Sequence, residues 1–325
     1  MDTRRSKKDR ERLLPLFSFI IRRVLQMIPT VIFILIVTFA LVRLLPGDPA
    51  SAMLGDRAID ADVERINRQL GLDQPVPIQF FYYVERILSG DLGNSIGLKV
   101  SVMSLILQRL PVTLMLTVMS ALIALVLAVP LAFVAALKRE RLPDSIIRGT
   151  FQVGLSMPVF YVGIVLLTVF SAQLKIFPVG GYGDTFGDRI YHLFLPALTL
   201  ALSFAAVLMR NLRSSIIGVM NAEYVDFARA KGLRSRVILM RHILRNALIS
   251  TVTLFGLQTG TLFGGAVITE TVFAVPGAGR LLIESIYGRD YPVLQGLTIA
   301  LAILVSLTFL VTDIVQAWLD PRIAR

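Results

Sequence analysis

Six runs of apolar residues decide what this chain can fold into: 24–45, 112–137, 151–172, 193–209, 247–269 and 293–312. A bilayer core about 30 Å thick is crossed by roughly 20 apolar residues in a helix. Lipid offers no partner to an unpaired backbone N–H or C=O, so runs of this length are read as membrane-spanning helices. The fourth is the shortest, at 17 residues with Pro196 inside it, and a membrane helix tolerates proline. The expected fold class is an all-α integral membrane protein with six transmembrane helices.

Composition narrows the chemistry. Hydrophobic residues make up 55% of the 325 and charged residues only 17%, against about 25% charged in soluble domains. A single soluble globule and intrinsic disorder are both excluded. With no cysteine, disulfides, thiolate catalysis and Cys-ligated metal centres go too. The two histidines, His192 and His242, form no HExxH or paired-ligand pattern. None of the six lysines directly follows a glycine, so there is no GxxxxGK[ST] loop to cradle a nucleotide. No serine stands in a GxSxG elbow. The expectation is no enzyme activity, no cofactor and no metal.

The formal net charge is +11, and its placement sets an orientation. Segments 1–23, 138–150, 210–246 and the C-terminal tail together carry 22 Lys and Arg. The alternate segments carry ten, among twelve acids that offset them. Basic loops stay on the cytoplasmic side, which predicts both termini inside and leaves no support for nucleic-acid binding. The first run, at 22 residues, exceeds the 7–15 of a signal-peptide core, so it is read as a retained helix.

Charged residues within spans default to functional hypotheses because they are costly there. Only Arg43, Glu270 and Asp313 qualify, all near span ends, and they are expected to be interfacial anchors. The fifth span carries Gly256, Gly260 and Gly264, four residues apart on one helix face that admits close backbone approach. Internal packing and a subunit interface or moving pathway both fit that face.

The basic segment 210–246 has a helical pattern. Asn221 is expected to cap a helix with Glu223 and Asp226 in its first turn, where the macrodipole favours acids. Tyr224, Phe227 and Ala228 fall on one apolar face, and Gly232 stands where a C′ glycine ends a helix. Ser235 is expected to cap a second helix, 236–246. Such a surface helix suits either a groove on a soluble partner or an anionic lipid surface.

Asp226-Phe227-Ala228-Arg229-Ala230-Lys231-Gly232 resembles the EAA loop of ABC-importer permeases, with Asp for Glu, Phe for the first Ala and Arg245 where the general pattern has Pro. Further segments are similar to the B-type permease of dipeptide, oligopeptide and nickel importers. They are Leu45-Pro46-Gly47-Asp48-Pro49, Leu70-Gly71-Leu72-Asp73-Gln74-Pro75 and Gly90-Asp91-Leu92-Gly93-Asn94-Ser95, then Pro276-Gly277-Ala278-Gly279-Arg280-Leu281, Asp290-Tyr291-Pro292-Val293 and Leu319-Asp320-Pro321-Arg322. Each alone is weak; the ordered set from 45 to 322 is specific. Residues 1–18 lie outside it and are expected to form a basic, flexible cytoplasmic extension.

The resemblance implies a type I ABC-importer permease fold in a bacterial inner membrane. It implies one half of a heterodimeric pathway for short peptides or a related small solute. The partners would be a second, C-type permease subunit, two cytoplasmic ATP-binding subunits and an external solute-binding protein. The coupling helix would comprise Glu223, Tyr224, Asp226, Phe227, Ala228, Arg229, Ala230, Lys231 and Gly232, with Arg234 and Arg236 beside it. The expected division is a first helix at 19–45, an external segment at 46–110, a five-helix core at 111–318 and a tail at 319–325. Within 46–110, helices are expected at 63–70 and 76–83. That segment, with 173–191 and 274–292, is expected to meet the binding protein, and Tyr182-Gly183-Asp184 to reach toward a pore mouth. The rivals are an ion-driven carrier or channel acting without ATPases, and a membrane scaffold.

Overall fold

The structure, a computed structural model, describes the backbone of residues 3–44 and 74–319 and the side chains of 20–40 and 74–317. The expected helix at 63–70 and the motif residues Pro46, Gly47, Asp48 and Pro49 lie outside these, as does the side chain of Arg43. Ten helices follow one another among the described residues: α1 (Thr3–Leu44), α2 (Val76–Leu88), α3 (Val102–Leu137), α4 (Leu142–Ser156), α5 (Val159–Gln173), α6 (Phe186–Met220), α7 (Glu223–Ala230), α8 (Ser235–Val272), α9 (Ala278–Tyr287) and α10 (Tyr291–Leu319). The backbone is helical from Thr3, so a helix occupies most of the expected extension. Five helices carry windows long and apolar enough to cross a membrane, Ile20–Ala40 within α1, α3, α6, α8 and Tyr291–Ala317 within α10.

The third apolar run is not one straight helix. α4 and α5 meet at a bend of 105°, centred on Met157, which is extended at φ −87° and ψ 133°, and on Pro158. A proline pushes the residue before it out of helical conformation, and here it breaks the span. Pro196, by contrast, sits inside an unbroken α6.

The chain divides into two compact units: Met1–Val24, Leu114–Val275 and Leu307–Arg325 in one, Leu25–Thr113 and Pro276–Ser306 in the other. In the first, α6 is the buried helix, with α4, α5 and α8 packed against it. The run expected to be weakest thus becomes a helix of 35 residues. Thr185 and Asp188 start it as a reciprocal capping box, which satisfies two of the orphan donors of the first turn. Small residues let the helices approach. Ala124, Ala128, Ala132 and Ala135 form a buried stripe on α3. A Cβ on Gly265 would come within 2.8 Å of Leu200.

Gly256 and Gly260 face α10. A Cβ at Gly256 would lie 1.7 Å from Thr312 Cγ2, and one at Gly260 2.7 Å from Phe309 Cζ. Gly264 is exposed, with nothing within 4 Å of such a Cβ. Internal packing therefore explains the first two glycines, and the third stands apart from them. Of the expected anchors, Glu270 is completely buried and so lies inside the protein, while Asp313 pairs with Arg23 at 3.2 Å.

The turn before α6 folds back on its own unit. Arg189 lies 5.0 Å over the Tyr182 ring, and the Tyr182 hydroxyl is 3.5 Å from Met115 Sδ. Gly183 adopts φ +77° with Asp188 packed where a Cβ would sit.

In the second unit, Val102, Leu105, Ile106, Ala278, Leu281, Val293 and Leu297 form a core. Asp290 precedes α10 and accepts from Ser95 Oγ at 2.5 Å, Gly97 N at 3.2 Å and Val293 N at 3.4 Å. It caps the helix and anchors the Gly90–Ser95 turn in one group. α2 forms over the expected 76–83 and runs on to Leu88, with Gln79 buried and Phe81 and Tyr82 exposed. Phe80 and Tyr83 pack on Phe39 of α1 at 5.1 and 5.5 Å. Burial pushes the Tyr83 phenol above its ordinary pKa, opposed by its hydrogen bond with Thr38.

Gly256→Val is expected to cost about 1–3 kcal/mol by overpacking against Thr312. Gly264→Ala, with open space around it, is expected to leave the midpoint of thermal unfolding in detergent unchanged or higher. Equal losses in the two variants would refute the packing assignment.

Candidate coupling surface

α7 is short and defined at both ends. α6 closes at Asn221, where the Asn221 and Ala222 N–H groups donate to Gly218 and Val219 carbonyls at 3.3 and 3.1 Å. Ala222, extended at φ −80° and ψ 139°, precedes α7 and gives no side-chain cap. The expected cap, Asn221, thus belongs to the helix before. Glu223 and Asp226 remain in the first turn, where they complement the helix dipole. At the other end Gly232 adopts φ +73°. Gly232 N–H donates to Arg229 O at 2.9 Å and Leu233 N–H to Ala228 O at 3.3 Å, the paired bonds of a Schellman motif. Ser235 is the first residue of α8 rather than its cap, which falls on Arg234.

The faces of α7 divide differently from the sequence pattern. Val225 and Ala228 are buried, and α7 packs against the wide, π-helical turns Ile238–Leu244 that begin α8. Ala228 therefore holds the helix to its own chain, and Val225, which the sequence reading missed, shares that task. The i, i+3 spacing of the pair was the available signal. Tyr224 is half exposed, but its hydroxyl accepts from Asn246 Nδ2 at 3.0 Å, and the same amide donates to His242 O at 2.7 Å. Phe227 is left projecting, 68% exposed. Glu223, Asp226, Arg229 and Ala230 of the same helix are exposed too, as are Lys231, Arg234 and Arg236 just after it. The Asp226–Arg229 pair at 3.1 Å is exposed and contributes little. The arrangement is a braced helix presenting one aromatic ring within a charged rim.

A buried ion cluster lies between α4 and α6. Asp144 is fully buried and accepts from Arg213 Nε at 2.7 Å and Nη2 at 2.6 Å. Its second oxygen also accepts from the Glu140 N–H at 3.0 Å, and Arg148 approaches the first at 3.4 Å. Such a fork-to-carboxylate pair fixes both position and angle. Arg148 and Arg213 belong to the two basic segments that set the orientation, and the 69 residues between Asp144 and Arg213 hide their pairing from a count along the chain.

Pro276, Gly277, Gly279 and Arg280 lie in the second unit. Pro276 O accepts from Arg109 Nη1 at 3.3 Å, and Ala278 N–H donates to Thr113 Oγ1 at 2.8 Å. Gly277 precedes α9 and Gly279 is buried within it, while Arg280 pairs with Glu284 at 2.8 Å. Arg109, Pro276, Gly277 and Arg280 line a cavity of about 280 Å³. Gly256, Gly260 and Gly264 belong to α8 and have no part in the α7 surface.

Residues 128–325 match the family described as "Binding-protein-dependent transport system inner membrane component", and residues 16–117 match "Binding-prot-dependent transport system membrane comp, N-term". The oligopeptide transport system permease protein AppB of Bacillus subtilis is 38% identical over 313 residues, covering 94% of this chain and 99% of that protein. The glutathione transport system permease protein GsiC of Pectobacterium atrosepticum is 39% identical over 308 residues, covering 95% and 99%. The probable D,D-dipeptide transport system permease protein DdpB of Escherichia coli is 38% identical over 314 residues, covering 89% and 92%. Among solved structures, the MetNI methionine ABC transporter in an inward-facing conformation superposes with a TM-score of 0.57 at 18% identity, over 67% of this chain and 97% of that one. An amino acid ABC transporter matches at 0.51 and 15% identity, over 67% and 94%. At these identities the two structures show the fold, that of type I ABC-importer permeases.

Arg213→Ala leaves Asp144 buried with only Arg148 nearby. The expected loss is about 3 kcal/mol, read as a lower unfolding midpoint in detergent. Asp144→Leu/Arg213→Leu together should lose less than Arg213→Ala alone, because no charge is stranded.

Proposed function

The chain belongs to the family of binding-protein-dependent transport system inner membrane components, and from that membership and the geometry of α7 we propose how it works within an importer. It is a multi-pass inner-membrane permease subunit of an ABC importer. In our reading it forms half of a heterodimeric pathway with a second permease subunit. Two separate ATP-binding subunits drive the cycle, since the sequence carries no nucleotide-cradling loop. Its cargo is a short peptide or a related small solute, by analogy with the oligopeptide, glutathione and D,D-dipeptide permeases above.

The observation that carries the reading is Phe227 on its braced helix. An ATP-binding subunit offering an apolar groove with an acidic rim would take the ring and meet Arg229, Lys231, Arg234 and Arg236 around it. A large aromatic anchor within a charged rim is the pattern of a binding hot spot. Val225, Ala228 and the Tyr224–Asn246 bond tie α7 to α8, so closure of the ATP-binding subunits moves α7 and α8 together as a rigid body. The excess of Lys and Arg in segments 1–23, 138–150 and 210–246 supports a cytoplasmic position for this surface and both termini. The segments at 74–101, 173–191 and 274–292 then lie outside, and the exposed Phe81 and Tyr82 offer contact area to a solute-binding protein.

Phe227→Ala should reduce solute uptake about tenfold or more in proteoliposomes holding the complete importer, the loss of one hot-spot aromatic. Basal ATP hydrolysis should lose its stimulation by the loaded binding protein. Gly232→Val, which forces a branched residue to φ +73°, should act the same way by distorting the end of α7. Wild-type uptake and stimulation in both variants would rule out α7 as the coupling element.

A further inference from the structure

Between α4 and α6 the first unit holds an open cavity of about 430 Å³, and nothing in the proposed coupling role uses it. Its lining joins two kinds of surface. Arg148, Arg210 and Arg213 contribute guanidinium groups, while Phe151, Leu155 and Met209 contribute apolar wall. Asp144 is the counter-charge beside them, and it is committed to Arg213 through both oxygens. Arg148 touches only one of those oxygens, at 3.4 Å, and is half exposed. Arg210 is exposed and has no ion pair among the described residues. Two guanidiniums therefore face the cavity with unspent hydrogen-bonding capacity. The nearby α3–α4 turn adds Lys138, Arg139 and Arg141, offset by Glu140 alone.

We propose that this cavity seats an anionic phospholipid, its phosphate held by Arg148 and Arg210 and its acyl chain lying along Phe151 and Leu155. A planar fork of donors suits a phosphate better than a point charge does. Basic pockets between membrane helices on the cytoplasmic side bind anionic headgroups by this logic. A soluble phosphate would satisfy the arginines but leave the apolar wall wet. An acidic side chain of a partner protein would do the same. Only a ligand with both a phosphate and a hydrocarbon tail matches both surfaces. Arg213 serves as a positioning residue, since its bond to Asp144 sets α4 against α6 and so sets the width of the cavity. The location of the cavity at the inner leaflet rests on the orientation proposed above.

The test uses the complete importer, delipidated in detergent and examined by native mass spectrometry with phosphatidylglycerol, phosphatidylcholine or glycerol phosphate as probe. The wild type should retain phosphatidylglycerol over phosphatidylcholine. Arg148→Gln/Arg210→Gln should bind phosphatidylglycerol roughly tenfold more weakly, from the loss of charge-assisted bonds. Arg148→Lys/Arg210→Lys, which keeps the charge, should fall between them, and matched unfolding midpoints exclude misfolding. Equal phosphatidylglycerol retention in the wild type and the Gln variant would overturn the proposal. Glycerol phosphate binding as tightly as phosphatidylglycerol would make this a soluble-phosphate site and overturn it as well. Crosslinking from position 210 to an ATP-binding subunit, with no lipid retained, would assign the cavity to a protein contact. The readout involves neither ATP nor uptake, so failure of the coupling role leaves it standing, and the reverse holds.

Discussion

Helices in lipid gain little from turning apolar side chains toward one another, because the surrounding acyl chains are as apolar as leucine. What remains is contact density, and it grows as backbones come closer. The first unit depends on that constraint throughout. Gly265 against Leu200, and Gly256 and Gly260 against α10, each remove side-chain volume where two helices meet, and α3 carries a buried alanine stripe. Against α6 itself, Gly265 of α8 meets Leu200 and Gly163 of α5 meets Thr199. Its own length and its proline matter less than the close fit around it.

Polar groups then do what apolar ones cannot, which is to fix angle and register. Asp144 grips Arg213 through two parallel bonds, and Asp290 collects Ser95, Gly97 and its own helix start. Each joins segments far apart in the chain. Each also stands within a few residues of a helix terminus, where backbone groups have no intrahelical partner and a carboxylate has donors to meet. The order Gly90 to Ser95 and Asp290 to Val293, noted in the sequence as separate motifs, is in the structure one hydrogen-bonded junction.

Five of the six expected spans were legible because their length is imposed by the bilayer, whereas the third run is broken at Met157-Pro158. The family was legible because its motifs recur in order. Helix ends were less so. Asn221 is a good capping residue by type, yet the preceding helix continued to it, since nothing in 210–220 forces a stop. Met157-Pro158 and Pro196 are chemically similar signals with opposite outcomes: the first breaks its span and the second sits buried inside an unbroken helix. Which face of α7 is buried depended on where α8 begins, a tertiary fact. The pairing of Asp144 with Arg213 was invisible for the same reason: charge counts along a chain record sign and place but not distance.

The π-helical turns Ile238–Leu244 open directly into the rest of α8, so the element that holds α7 continues without a break to Val272. From Asn246, where the Tyr224 bond lands, to the far end is 26 residues, roughly 39 Å at helical rise. Tilted at its base in the proposed coupling role, such a rod would act as a lever arm: each degree would displace its tip by about 0.7 Å. A few degrees imposed at Phe227 would therefore move fully buried Glu270 by a bond length or more. Amplification is a matter of geometry here, and needs no softening of the helix in between.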